Sequence, residues 1–289
     1  MYLFLRLRGA IAPCPSTVLG ADKLGGFTGR SVAVCKMNEV STYKKQGSGA
    51  ADMRKDLSVV LPVYNESECI RAVVDELCGV LSVIKDCPYE IILVNDGSTD
   101  DTPRVLADLR SASAHVRVLT LVPNSGQSAA FSAGFRNASG SVTVAMDADG
   151  QNDPNDIPRL LEELKQCDCC CGYRANRKDS FSRRYGSKLA NFVRNAVLGE
   201  SIVDTGCSLK AFRTDLVRDF PPLNGMHRFI PSYLMMKGAV IRQIPVNHRP
   251  RKLGTSKYTN IGRLAKTVWD LMAVKWMKCR YQKYTLEMV

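Results

Sequence analysis

Five short apolar runs recur along the middle of the chain at nearly fixed spacing, and this rhythm constrains the fold more than any other feature. They are LSVVLPV (57–63), EIILVND (90–96), HVRVLTLV (115–122), SVTVAMD (141–147) and DCCCGY (168–173); after the first interval one arrives about every 26 residues. Amphipathic helical patterns fill the gaps. Strands alternating with helices in this way require βαβ crossovers and a largely parallel sheet, which predicts an α/β fold. The near-continuous Val, Ile and Leu content suits strands covered on both faces. No internal repeat and no apolar run of about 18 residues is present, so no membrane-spanning helix is expected.

In such sheets, ligands sit outside the carboxyl ends of the strands. The residues at those ends are Tyr64, Asn65 and Glu66; Asp96, Gly97 and Ser98; Asn124 to Gln127; Asp147, Ala148 and Asp149; and Tyr173 with Arg174. These polar groups suit a sugar or a nucleotide. Neither G-x-G-x-x-G nor G-x-x-x-x-G-K-[ST] occurs, which sets aside dinucleotide and P-loop chemistry. Asp147 and Asp149 end a buried strand, where unpaired carboxylates are costly and require a compensating partner. Asp153, just before Pro154, reads instead as a helix cap.

The charge is uneven. Of the formal net +12, much lies in 173–194 and in 249–289, which points to an anionic partner. Of the eleven cysteines, Cys167, Cys169, Cys170 and Cys171 are too closely spaced for ordinary disulfides or a standard zinc site. They read as small buried strand residues in a reducing compartment. Residues 1–53 lack sustained periodicity and a clean signal-peptide core, and are expected to form a poorly ordered extension. Met37 and Met53 precede the regular pattern and are alternative starts.

PVYNE (62–66), VNDGSTDDT (94–102), DADGQ (147–151) and RKLGTSKY (251–258) stand in one order on this α/β chain. Together they resemble the inverting family 2 glycosyltransferases, in the polyprenyl-phosphate branch that includes dolichyl-phosphate mannosyltransferase. The resemblance covers roughly 55–260 and implies a GT-A domain at 54–259. It implies a nucleotide-sugar site of Pro62, Tyr64, Glu66, Val94, Asp96, Asp147, Ala148 and Arg174, with Mg²⁺ or Mn²⁺ held by Asp147, Asp149 and Gln151. It further implies catalytic contributions from Asp149, Arg251, Lys257 and Asp204. Hard cations take such oxygen ligands and complete their shell with diphosphate. Arg251 and Lys257 suit phosphate oxygens, and Arg177, Arg183 and Arg184 are candidates for an anion clamp.

Asp204, in VDTGCSLKAFR (203–213), admits two readings. It would be a general base if the acceptor were a hydroxyl. A phosphate acceptor needs no such base, and Asp204 would then orient the acceptor or an arginine such as Arg213. His115, His227 and His248 lack ligand spacing; His115 is given no chemistry, and structural roles are expected for His227 and Arg228. From residue 260 onward Ile261, Leu264, Ala265, Val268, Leu271 and Met272 recur at helical spacing, with Trp269 and Trp276 seven apart and basic residues between. This predicts an amphipathic helix at a membrane interface over 260–289, or one docked on its own domain or a partner.

The expected function is transfer of a hexose from a GDP-mannose- or UDP-glucose-type donor to a polyprenyl phosphate. The expected place is peripheral, on the cytoplasmic face of a membrane, directly or through a small anchoring subunit. The alternatives are a family 2 enzyme acting on a saccharide or protein hydroxyl, and a basic nucleic-acid-binding protein. The last has the charge but lacks interleaved aromatics or an RNA motif, so no nucleic-acid partner is expected.

Overall fold

The computed structural model describes residues 56–175, 181–250 and 261–282. The 1–53 extension, Arg177, Arg251 and Lys257 lie outside the described residues, as do the side chains of Arg183 and Arg184. The strands are β1 (Leu57–Val63), β2 (Tyr89–Asn95), β3 (Val116–Thr120), β4 (Val142–Ala145), β5 (Cys169–Arg174), β6 (Lys210–Arg213) and β7 (Ile241–Val246). They form one sheet in the order β3-β2-β1-β4-β6-β5-β7, in which only β6 runs antiparallel to its neighbours. The helices are α1 (Ile70–Ser82), α2 (Thr102–Ala112), α3 (Gln127–Asn137), α4 (Ile157–Leu164), α5 (Phe181–Leu198), α6 (Ile230–Met236) and α7 (Ile261–Arg280).

The pleat sorts the β1 residues between two cores. Leu57, Val59, Leu61 and Val63 pack with α1, α2 and α4, while Val60 faces α3, α6 and α7 across the sheet. Burying one such side chain contributes about 1.5–3 kcal/mol. The second core centres on Phe135, which meets Phe131, Phe212 and Phe220 with ring centroids 5.2–5.7 Å apart. Helices on both faces of a mostly parallel sheet explain why strands and helices alternate in the sequence.

Five strands follow the apolar runs, and two were not foreseen. β6 has only four residues, and its first, Lys210, is a fully buried charge that breaks the apolar pattern. β7 reads IRQIPV, and Pro245 is tolerated because this strand lies at the sheet edge. The predicted C-terminal helix is present as α7. Leu271 and Val274 are buried against the domain, while Val268, Trp269, Met272 and Trp276 are exposed. It is therefore docked on its own domain by one face and leaves an apolar face outward. Its anchor is polar as well: Glu200, with no exposed side-chain surface, binds Arg194 of α5 (2.8 Å), Ser232 of α6 (2.7 Å) and Lys278 of α7 (3.1 Å).

Candidate active site

The sheet order reverses between β1 and β4: β2 and β3 extend one way from β1, and β4 starts the other half. A crevice opens at such a switch point, outside the carboxyl ends of the strands. Tyr64 and Glu66 follow β1 on one side, and Asp147 and Asp149 follow β4 on the other. Beyond β1, the ends of β2 and β3 enclose a cleft of about 530 Å³ lined by Tyr64, Asn95, Gly97, Thr99, Leu121 and Asn124, among others.

Asp96 organises this cleft from beneath. Its carboxylate accepts from the backbone N–H of Ser125 (2.7 Å) and Gly126 (2.9 Å) and from Asn124 Nδ2 (3.1 Å), fixing the β3–α3 loop. Burial pushes the Asp96 pKa up, against the lowering effect of the two N–H donors. Gly97 (φ 66°) makes the turn, and a side chain there would strike the Asn124 backbone. Asn95, absent from the expected site residues, lines the cleft directly. Val94 does not: it is fully buried, with its side chain against α3, because alternate residues of β2 point to opposite faces. Pro62 is half-buried in β1, opposite Val94 in the ladder.

Glu66 is tied on both sides. Its N–H donates to Thr102 Oγ1 (2.9 Å), and its Oε2 accepts from the Cys69 thiol (3.2 Å). The same thiol lies 3.4 Å from the carbonyl oxygen of Ala148, so Cys69 joins the turn after β1 to the Asp-x-Asp turn after β4. Ala148 itself is buried, between the half-buried Asp147 and Asp149.

Asp147 Oδ1 accepts from Gln127 Nε2 (2.8 Å), and its N–H donates to Asn152 Oδ1 (3.1 Å). Burial first, and then the neighbouring charge of Asp149, push its pKa up to about 6; Lys210 and Arg174 act in the opposite sense. Asp149 Oδ1 accepts from the Gln151 N–H (3.1 Å). A buried carboxylate whose proton affinity is raised by a neighbouring carboxylate is in a setting that suits a divalent cation. Among the described residues no cluster of three His, Cys, Asp or Glu side chains can hold a metal. The set expected from the sequence, Asp147, Asp149 and the amide oxygen of Gln151, is all oxygen, the ligand chemistry that Mg²⁺ or Mn²⁺ takes.

Asp153 caps the turn that Pro154 opens, accepting from the Asn155 N–H (3.0 Å). It also binds Arg249 (2.7 Å), a partner the sequence did not suggest.

Asp204 meets Arg174 in a bidentate pair, with Nε–Oδ2 at 2.7 Å and Nη2–Oδ1 at 2.9 Å. A side chain at position 206 would collide with the Arg174 guanidinium, which accounts for Gly206. Asp204 therefore orients Arg174, whereas Arg213 pairs with Asp168 (3.1 Å). His227 follows Gly225 in a short 3₁₀ turn and pairs through Nδ1 with Ser128 Oγ (2.9 Å). Arg228 donates to Thr267 Oγ1 of α7 (3.3 Å). The cysteines of β5 are buried and unbridged, as expected.

A doubly covered, mostly parallel sheet with a cleft and an Asp-x-Asp turn at its switch point is a fold of the GT-A type. The model of "Glycosyl transferase family 2" matches residues 58–220, and the chain belongs to that family of glycosyltransferases. It is 36% identical over 228 residues to the dodecaprenyl-phosphate galacturonate synthase of Rhizobium johnstonii, covering 76% of this chain and 66% of that one. It is 37% identical over 220 residues to the undecaprenyl-phosphate 4-deoxy-4-formamido-L-arabinose transferase of Pectobacterium carotovorum, covering 75% and 67%. The chain thus spans about two thirds of the length of these relatives. Among solved structures, the fold resembles glucosyl-3-phosphoglycerate synthase from Mycobacterium tuberculosis in complex with Mn²⁺ and UDP-glucose. The TM-score is 0.56 at 18% identity, covering 79% of this chain and 80% of that one.

Proposed function

We propose that this chain transfers a sugar from a nucleoside diphosphate donor to a polyprenyl phosphate, with inversion at the anomeric carbon. The observation that carries this reading is that the Asp147–Asp149 turn after β4 is tied through the Cys69 thiol to the turn after β1, whose Tyr64 lines the cleft. A nucleoside in the cleft would bring its diphosphate to the two carboxylates. The polyprenyl-phosphate relatives support the acceptor, and the UDP-glucose and Mn²⁺ of the mycobacterial structure support the donor class and the metal. The donor in this reading is a nucleotide hexose of the UDP-glucose or GDP-mannose type, as the sequence resemblance implies.

Asp147, Asp149 and Gln151 would hold Mg²⁺ or Mn²⁺. Such an ion would neutralise charge on the departing nucleoside diphosphate. Arg174, oriented by Asp204, adds fixed positive charge near the same turn, and the family resemblance assigns Arg251 and Lys257 to phosphate oxygens. The acceptor phosphate is an anion at neutral pH and attacks without a general base. Engagement of Asp204 by Arg174 favours this over a hydroxyl acceptor, which would need that carboxylate as a base.

No helix among the described residues is long and apolar enough to cross a membrane. The outward Trp269, Trp276, Val268 and Met272 of α7 would rest in the interface of the cytoplasmic leaflet, or on a small membrane subunit, near the acceptor's head group. The test is a donor screen. Purified protein with Mn²⁺ and polyprenyl phosphate should consume one UDP- or GDP-sugar only when the lipid phosphate is present. Donors all left intact, or consumed equally without lipid, would refute the reading.

A further inference from the structure

Arg249 lies just after β7, outside every motif named so far, yet it touches the Asp-x-Asp loop at three points. Its N–H donates to the carbonyl oxygen of Gln151 (2.9 Å), and its own carbonyl accepts from Gln151 Nε2 (3.4 Å). Its guanidinium spans Asp153 Oδ1 (2.7 Å) and both carboxylate oxygens of Glu76 on α1 (2.8 Å each). One residue thus fastens the end of the loop to a helix of the neighbouring layer. An isolated bridge between Asn152 and His248 reinforces the register.

The consequence falls on Gln151. An amide whose nitrogen is bound to the Arg249 carbonyl must turn its oxygen the other way. Among the described residues, Oε1 receives no donor. The Gln151 N–H donates to Asp149 Oδ1, so a shift of the loop at residue 151 moves a carboxylate as well as an amide. We infer that Arg249 is a positioning residue for the cation site, and that its clamp on Glu76 and Asp153 sets the loop's affinity for a divalent cation. The bidentate fork is what a lysine cannot reproduce. This inference rests on the metal reading proposed above.

The probe is Mn²⁺ with UDP, followed by electron paramagnetic resonance of the full chain, with folding checked by circular dichroism. Arg249→Met should weaken Mn²⁺ binding by about tenfold or more, as loss of a supporting outer partner does. Glu76→Gln changes a half-exposed residue on α1 that is outside the proposed ligand set; it should weaken binding severalfold and cover the case in which Arg249→Met fails to fold. Arg249→Lys should fall between wild type and Arg249→Met. Excess Mn²⁺ should restore kcat in these variants, which a general loss of structure would not permit. Wild-type affinity in both Arg249→Met and Glu76→Gln would overturn the inference while leaving the metal site intact. If the wild-type protein bound no more Mn²⁺ than Asp149→Asn, the metal reading itself would fall, and this inference with it.

Discussion

Arg174 and Asp204 face each other as a planar fork, with side chains only 15% and 7% exposed. The Arg174 N–H also lies 3.3 Å from Asp204 Oδ2, so the carboxylate fixes main chain and side chain together. A carboxylate committed to an arginine in this way is a poor proton acceptor, since the arginine stabilises its charged form. Asp204→Asn should therefore raise the donor KM and weaken inhibition by UDP. It should also cost about 3 kcal/mol of stability, as expected for a largely buried pair that loses one charge. Steady-state kinetics across pH checks this: the variant profile should differ from wild type in height and should not lose an acidic limb, the limb that a general base would produce. A variant that regained rate only with strong external bases would mark Asp204 as a general base instead.

Asp149→Asn addresses the cation site. It should lower kcat by about a thousandfold or more, the scale of several kcal/mol of lost transition-state charge stabilisation. The fold should persist, because the Asp149 charge is one of the influences that disfavour ionised Asp147. Thermal unfolding in chelator measures this, with an unchanged or higher Tm expected.

At the opposite end of the sheet, buried Glu90 accepts from Ser58 Oγ (2.6 Å), Ser139 Oγ (2.6 Å) and Arg117 Nη1 (2.6 Å). Burial alone would raise its pKa, but these hydrogen bonds outweigh it and hold the carboxyl below the usual value of 4.5. A folded pKa below the unfolded one gives stability that is present above the unfolded pKa and lost as pH falls through the folded one. Glu90→Gln should cost about 2 kcal/mol at neutral pH, with the gap to wild type narrowing at acid pH. Denaturant melts at a series of pH values measure it, and activity per folded molecule should be unchanged.

The outer face of α7 predicts lipid binding. Replacing Trp269 and Trp276 by Ser removes large side chains that are 77% and 65% exposed, so the fold should remain. Affinity for anionic vesicles should drop about tenfold or more, given the apolar area withdrawn. Co-sedimentation with vesicles is the check.

The α/β fold was legible because the parallel strands are apolar on both faces and evenly spaced, as Leu57–Val63 and Tyr89–Asn95 illustrate. The Asp-x-Asp turn was legible because charge directly after a buried strand is costly and demands a reason. What pattern could not supply was pairing across long separations. Asp204 finds Arg174 thirty residues away, and Arg249 finds Glu76 at a separation of 173, with no local signature for either. That the Val94 side chain turns into the core was not legible, because a motif gives neighbours in sequence, whereas the pleat decides which face a side chain takes. Lys210 was missed because a buried lysine in a short strand resembles a loop residue until its neighbours are known.

The most direct test of the central claim compares two lipids that differ only in the acceptor group. With the preferred nucleotide sugar and Mn²⁺, mass spectrometry should detect a glycosylated product from undecaprenyl phosphate and none from undecaprenol. Transfer to the alcohol, or to neither lipid while a free saccharide is glycosylated, would contradict a phosphate-directed transferase.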